Sequence, residues 1–227
     1  MNTWNYIKDQ HKQNLNFFLS LYVFSFLSIL YLVTHQKGDL VLFFSENRTD
    51  FLNTTFVILS IAGEGIHFGY LLIILSFIRI RFTILGLITF LGTGAIVQVL
   101  KRSFDMPRPS LWFENVEILN LLDGVRNAKY LSFPSGHTTS AFAMAMFFLI
   151  LTKNKSLKLL ISLIAILMGL SRVYLAQHFL EDILVGALLG TYGGLFFIAL
   201  FESNEKIKNS NWYNFSVISI IGRKTTK

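Results

Sequence analysis

Residues 156–202 read SLKLLISLIAILMGLSRVYLAQHFLEDILVGALLGTYGGLFFIALFE. Two apolar runs, near 157–176 and 181–201, flank a short polar turn. Each run is about 20 residues, the length a helix needs to cross a hydrocarbon core of about 30 Å at about 1.5 Å per residue. The turn and the adjoining ends of the two runs carry Arg172, His178 and Asp182. Ionisable groups are costly beside lipid, so their presence there marks a site. On a helix, positions i and i+4 share a face, which makes His178 and Asp182 neighbours.

Outward from this pair of helices, further apolar runs lie near 14–34, 55–78, 82–100 and 137–153. The expectation is an all-α, polytopic membrane protein with six transmembrane helices, forming a single membrane-embedded domain over 1–227. Composition agrees: 53% of residues are hydrophobic and only 15% charged, where a soluble domain carries about 25% charge. Gly63-Glu64-Gly65 interrupts the second run. That reads as an interfacial helix from about 51 to 62 followed by a steep helix from 66. Glu64 reads first as a polar helix start, where an anion is favoured. Residues 1–13, with Trp4, Tyr6, Lys8 and Lys12, read as an interfacial segment that stays attached, because no small-residue cleavage site follows the first apolar run. Residues 202–227 form a polar tail. With no cysteine, disulfides, thiolate metal sites and cysteine nucleophiles are excluded.

Six spans put both termini and the loops near 79–81 and 153–158 on one side, which collects 12 of the 20 lysines and arginines. The positive-inside rule makes that side cytoplasmic. The protein is then expected in the cytoplasmic (inner) membrane, with the Arg172–Asp182 turn at the outer membrane–water boundary, facing the periplasm or exterior. The net charge of +7 is accounted for by this bias plus a site for anions. The lipid bilayer is the implied partner, and nucleic acid is not required.

Two more polar clusters fall on the same outer face. The third span ends in KRSFDMPRP, residues 101–109, with Lys101 and Arg108 held near prolines that fix the backbone. Alone, this is a juxtamembrane basic cluster. The fourth span is preceded by FPSGH, residues 133–137. Ser135 suits a helix N-cap, while Gly136 and the first free amides of the helix suit an oxyanion cradle beside His137. In the third cluster, Asp182 can fix the tautomer of His178, and the Arg172 fork can grip a doubly charged oxyanion. Three cations, two histidines, one carboxylate and a helix N-terminus on one face suit a phosphoryl group.

These three segments, Lys101 to Pro109, Pro134 to His137 and Ser171 to Asp182, resemble the three-part signature of the type 2 phosphatidic acid phosphatase superfamily, with every motif position matched across a core of 101–182. The resemblance implies a metal-independent lipid phosphatase working through a phosphohistidine. His178 would be the nucleophile, Asp182 its orienter and His137 the general acid. Lys101, Arg108, Ser135, Gly136 and Arg172 would bind phosphate. No cofactor and no metal are implied. The substrate would be a membrane lipid phosphate: phosphatidic acid, phosphatidylglycerol phosphate, undecaprenyl diphosphate or a lipid A phosphate. Within residues 110–133, read as a lid or interfacial helix, Arg126 and Lys129 are the candidates for headgroup selectivity. A phosphotransferase of the same fold would pass the phosphoryl group to a lipid or sugar acceptor. A transporter or channel would instead show helices broken at mid-membrane. Oligomeric state is left open.

Overall fold

In the computed structural model the described residues are 2–114, 119–125 and 128–216. They form an all-helical bundle. In chain order the elements are α1 (Thr3–Gln13), α2 (Leu15–Thr34), α3 (Asp39–Glu46), α4 (Asp50–Ala62), α5 (Gly65–Ile78), α6 (Ile80–Phe104), α7 (Pro109–Trp112), α8 (Gly136–Leu151), α9 (Lys155–Tyr174), α10 (Leu180–Leu188), a π-helical turn (Leu189–Gly193), α11 (Gly194–Glu202) and α12 (Glu205–Lys208).

Among the described residues, four helical segments are long and apolar enough to cross a membrane: α2, α6 with its extension to Trp112, α9, and α10 through α11. The second apolar run breaks where the glycines sit, with α4 and α5 bent 51° apart. Counting that pair as one gives five spans by length and composition. The run read as the fourth span is α8, only 16 residues, or roughly 24 Å long. Its shortness has a physical counterpart in its position. It is wrapped by α6, α9, α10 and the π-turn, and most of its side chains are buried. A helix screened from lipid by its neighbours need not match the bilayer thickness.

The close seam between α8 and the α10 segment depends on glycine. A Cβ at Gly186 would stand 2.7 Å from the Ser135 carbonyl oxygen, and one at Gly190 would stand 2.8 Å from Phe142 Cβ. Small residues at such crossings let helix backbones approach in lipid. Ser135 N donates to the Asp182 carbonyl at 3.0 Å, which pins the start of α8 to the start of α10.

The helix ends segregate. At one end, Thr3 Oγ1 meets Ser203 Oγ at 2.9 Å, Lys158 Nζ donates to the Gln13 carbonyl at 3.0 Å, and Arg81 pairs with Glu202 at 2.9 Å. The same Glu202 accepts from Tyr213 at 2.8 Å. The grouping expected from charge counting is therefore present: the start of the chain, the 79–81 corner, the start of α9 and residues 202–213 share an end. The three motif segments lie at the other. Residues 110–133 do not form a lid helix among the described positions. The described positions after the single turn of α7 form no further helix before α8.

Candidate active site

Each motif side chain is delivered by the end of a helix or the loop beside it. Lys101 lies in the last turn of α6, Arg108 at the N-cap of α7, Ser135 at the N-cap of α8 and Arg172 in the last turn of α9. Asp182 is in the first turn of α10, and His178 sits in the α9–α10 loop. The loops turn sharply to do this. Asp105, Leu131 and Ala176 have φ of 41°, 59° and 55°, the left-handed region that costs non-glycine residues energy. One such residue follows Lys101, one precedes Ser132, and one lies between Arg172 and His178.

Five of the expected residues, Lys101, Arg108, Gly136, His137 and His178, line one cavity of about 530 Å³. His178 is only 1% exposed, and its Nδ1 lies 3.2 Å from Asp182 Oδ2. The same oxygen accepts from Phe179 N at 2.9 Å and from Ser132 Oγ at 2.5 Å. Ser132 Oγ is also 3.4 Å from His178 Nδ1. These contacts hold the carboxylate against Nδ1 and leave Nε2 for chemistry. Burial, reinforced by Arg108, Arg172 and Lys101, holds the His178 imidazole well below its usual pKa. That shift favours the neutral form, the one that can attack an electrophile.

The cations are fixed by carbonyls. Lys101 Nζ donates to Leu131 O, and Arg108 donates through Nε to Tyr130 O at 2.9 Å and through Nη1 to Gln177 O at 3.0 Å. Arg172 lines a second cavity of about 480 Å³, which shares His137 with the first. Its Nη1 donates to Ser60 Oγ on α4, and its Nε is buried without a partner. Glu64, at the break after α4, lies 3.9 Å from His137 Nε2. That nitrogen is itself buried without a hydrogen bond. Glu64 makes no capping bond to α5. Its side chain is turned to the site instead of to its own helix.

The structure assigns Ser135 the capping role. Its hydroxyl accepts from Thr138 N at 3.3 Å and Thr138 Oγ1 at 2.9 Å, it is fully buried, and it does not line the cavity. Lys129 is exposed and paired with Glu114 outside both cavities, and that carboxylate pushes its ammonium pKa up. Arg126 lies outside the described residues. Ser132 and Ser60 were not expected. Single serines next to a motif or inside an apolar helix carry no distinctive pattern. Glu64 had a signal, a carboxylate between two glycines in an apolar run, which reads first as a helix start and second as a site residue; its position beside His137 favours the second.

Comparison with known proteins agrees with this geometry. The chain is 41% identical over 86 residues to the phosphatidylglycerophosphatase B of Bacillus subtilis, covering 34% of this chain and 41% of that protein. It is 33% identical over 106 residues to the lipid A 4'-phosphatase of Porphyromonas gingivalis, covering 44% of each. The chain thus spans about two-fifths of the length of these curated relatives. Among solved structures it resembles Aquifex aeolicus LpxE, with a TM-score of 0.62 and 30% identity over 72% of this chain and 94% of that one. It also resembles a transmembrane PAP2-type phosphatidylglycerolphosphate phosphatase from Bacillus subtilis, with a TM-score of 0.56 and 26% identity over 87% of this chain and 98% of that one. The PAP2 superfamily model matches residues 81–206, which takes in all three clusters around the cavity, and the chain belongs to that superfamily.

Proposed function

We propose that the protein is a lipid phosphatase that hydrolyses a phosphate monoester or diphosphate on a membrane lipid through a phosphohistidine. The observation that carries this reading is the buried His178, backed by Asp182 on Nδ1 and facing a cavity that it shares with Lys101, Arg108 and His137. His178 Nε2 attacks phosphorus, and the bond to the lipid oxygen breaks. His137 gives its proton to that oxygen, which leaves as the lipid alcohol or, from a diphosphate, as the lipid monophosphate. Water, losing a proton to His137, then attacks the phosphohistidine and releases inorganic phosphate. Asp182 stabilises the positive charge that develops on the His178 ring. Lys101, Arg108, Arg172 and the Gly136 amide hold the phosphoryl oxygens, each donor contributing about 2.7 to 4 kcal/mol to the transition state. Ser135 serves by capping the helix that presents the Gly136 amide.

The proposed scheme needs no metal, because the side chains of the site supply the positive charge. Phosphate release from a panel of purified lipid phosphates and diphosphates tests the reading. Release is expected without an added acceptor, to persist in excess chelator, and to be blocked by vanadate, which mimics the five-coordinate phosphorus. Loss of activity in EDTA with recovery on added magnesium would overturn the metal-free scheme. Release that depends on a lipid or sugar acceptor would favour the phosphotransferase.

Glu64 acts here as a positioning residue for His137, offsetting the positive charge of Lys101, Arg108 and Arg172 around that ring. His137→Ala is expected to slow lipid phosphates, which have poor leaving groups, by about 10²- to 10⁴-fold while largely sparing an activated aryl phosphate. Glu64→Gln is expected to give a smaller loss with the same bias. An equal loss on both substrates would assign Glu64 a structural role at the α4–α5 break.

The polytopic arrangement, with the site at the outer boundary and the termini cytoplasmic, rests on the lysine and arginine bias. A headgroup at the boundary and chains between helices follow from it. Membership of the same superfamily as proteins named for phosphatidylglycerol phosphate and lipid A favours glycerophospholipid or lipid A phosphates over soluble esters.

A further inference from the structure

At the end of the bundle away from the motif loops, two cavities adjoin. One, of about 180 Å³, is walled by Lys12, Lys155, Lys158 and residues 13–16, polar but for Leu15. The other, of about 650 Å³, is an apolar groove between α2 and α9, with Leu19, Val23 and Leu27 on one wall and Leu159, Leu163 and Leu170 on the other. Asn16 lines both, so the basic mouth opens directly onto the groove. From Asn16 to Leu27 the helix rises roughly 16 Å, about half the thickness of a hydrocarbon core. The groove is therefore as deep as one leaflet.

The mouth carries three ammonium groups and no carboxylate in its lining. The carboxylate nearest in sequence, Asp9, is turned to the Gln13 side chain at 2.8 Å. Lys158 is buried and tethered to the Gln13 carbonyl at 3.0 Å, which fixes one charge at the junction. Lys12 and Lys155 are exposed and have no salt bridge among the described residues. From Lys155 to Arg172, α9 rises roughly 25 Å, so this mouth is far from the catalytic cavity and opens to the opposite leaflet. Basic pockets between helices at a membrane surface suit acidic lipid headgroups.

We propose that this mouth and groove bind an anionic phospholipid of the leaflet opposite the catalytic loops, its phosphate among Lys12, Lys155 and Lys158 and one acyl chain along α2 and α9. The test is thermal unfolding of the full chain in detergent micelles with added dioleoyl phosphatidylglycerol, dioleoyl phosphatidylcholine or inorganic phosphate. Phosphatidylglycerol is expected to raise the unfolding midpoint by about 5 °C near saturation, with no comparable rise from the other two. Lys12→Gln with Lys155→Gln should abolish the rise, and Leu163→Trp should abolish it by filling the groove with the charges intact. If the double variant does not fold, the Leu163→Trp arm and the phosphatidylcholine comparison decide. An equal rise with phosphatidylcholine, an equal rise with phosphate alone, persistence in either variant, or no rise at all would overturn the proposal.

Discussion

His178→Ala is expected to abolish hydrolysis and, with it, every trace of phosphoenzyme. The substitution removes the only atom proposed to bond phosphorus, so the loss should be of the order of 10⁶-fold in kcat, the scale seen when a covalent nucleophile is deleted from a preassembled site. Acid quench after mixing with a ³²P-labelled lipid phosphate checks this directly: labelled protein from the native chain, none from the variant. The ring lies under the Ser132–Asp182 cluster, so its deletion leaves a small buried cavity, and folding should be verified by unfolding midpoint. A variant that folds and still traps phosphate would assign His178 a structural place and move the nucleophile elsewhere.

Asp182→Asn is expected to cost about 10⁴-fold while keeping the fold, the size of effect seen when an orienting carboxylate becomes an amide. The asparagine oxygen can still accept from Phe179 N and Ser132 Oγ, which now reach Asp182 Oδ2 at 2.9 and 2.5 Å. What disappears is the negative charge proposed to stabilise the His178 imidazolium. The signature is a burst that shrinks with turnover, since both formation and breakdown of the intermediate pass through a charged ring. Near-native activity in this variant would reduce the His178–Asp182 contact to a packing detail.

Helix content, helix ends and the three motif clusters were legible because they rest on local pattern: 20-residue apolar runs, prolines after Lys101, and Ser-Gly at a helix start. Partners supplied from a distance were not. Ser132 reaches Asp182 across 50 positions, and Ser60 reaches Arg172 across 112. No spacing rule joins residues so far apart, and a serine facing solvent has the same letter as one facing a guanidinium. The surroundings of α8 were not legible for a related reason. Hydropathy reports that a segment is apolar, not whether lipid or protein surrounds it, and α8 is surrounded by protein. For Ser135, the capping role is visible in its hydroxyl accepting from Thr138.

The glycine seam has a geometric meaning. With Gly186 set against the Ser135 carbonyl and Gly190 against Phe142, the start of α8, which carries His137, and the loop before α10, which carries His178, meet at one close helix crossing. A methyl group at either glycine has no room unless the backbones part, so the distance between the two histidines is set by two residues that have no side chain at all.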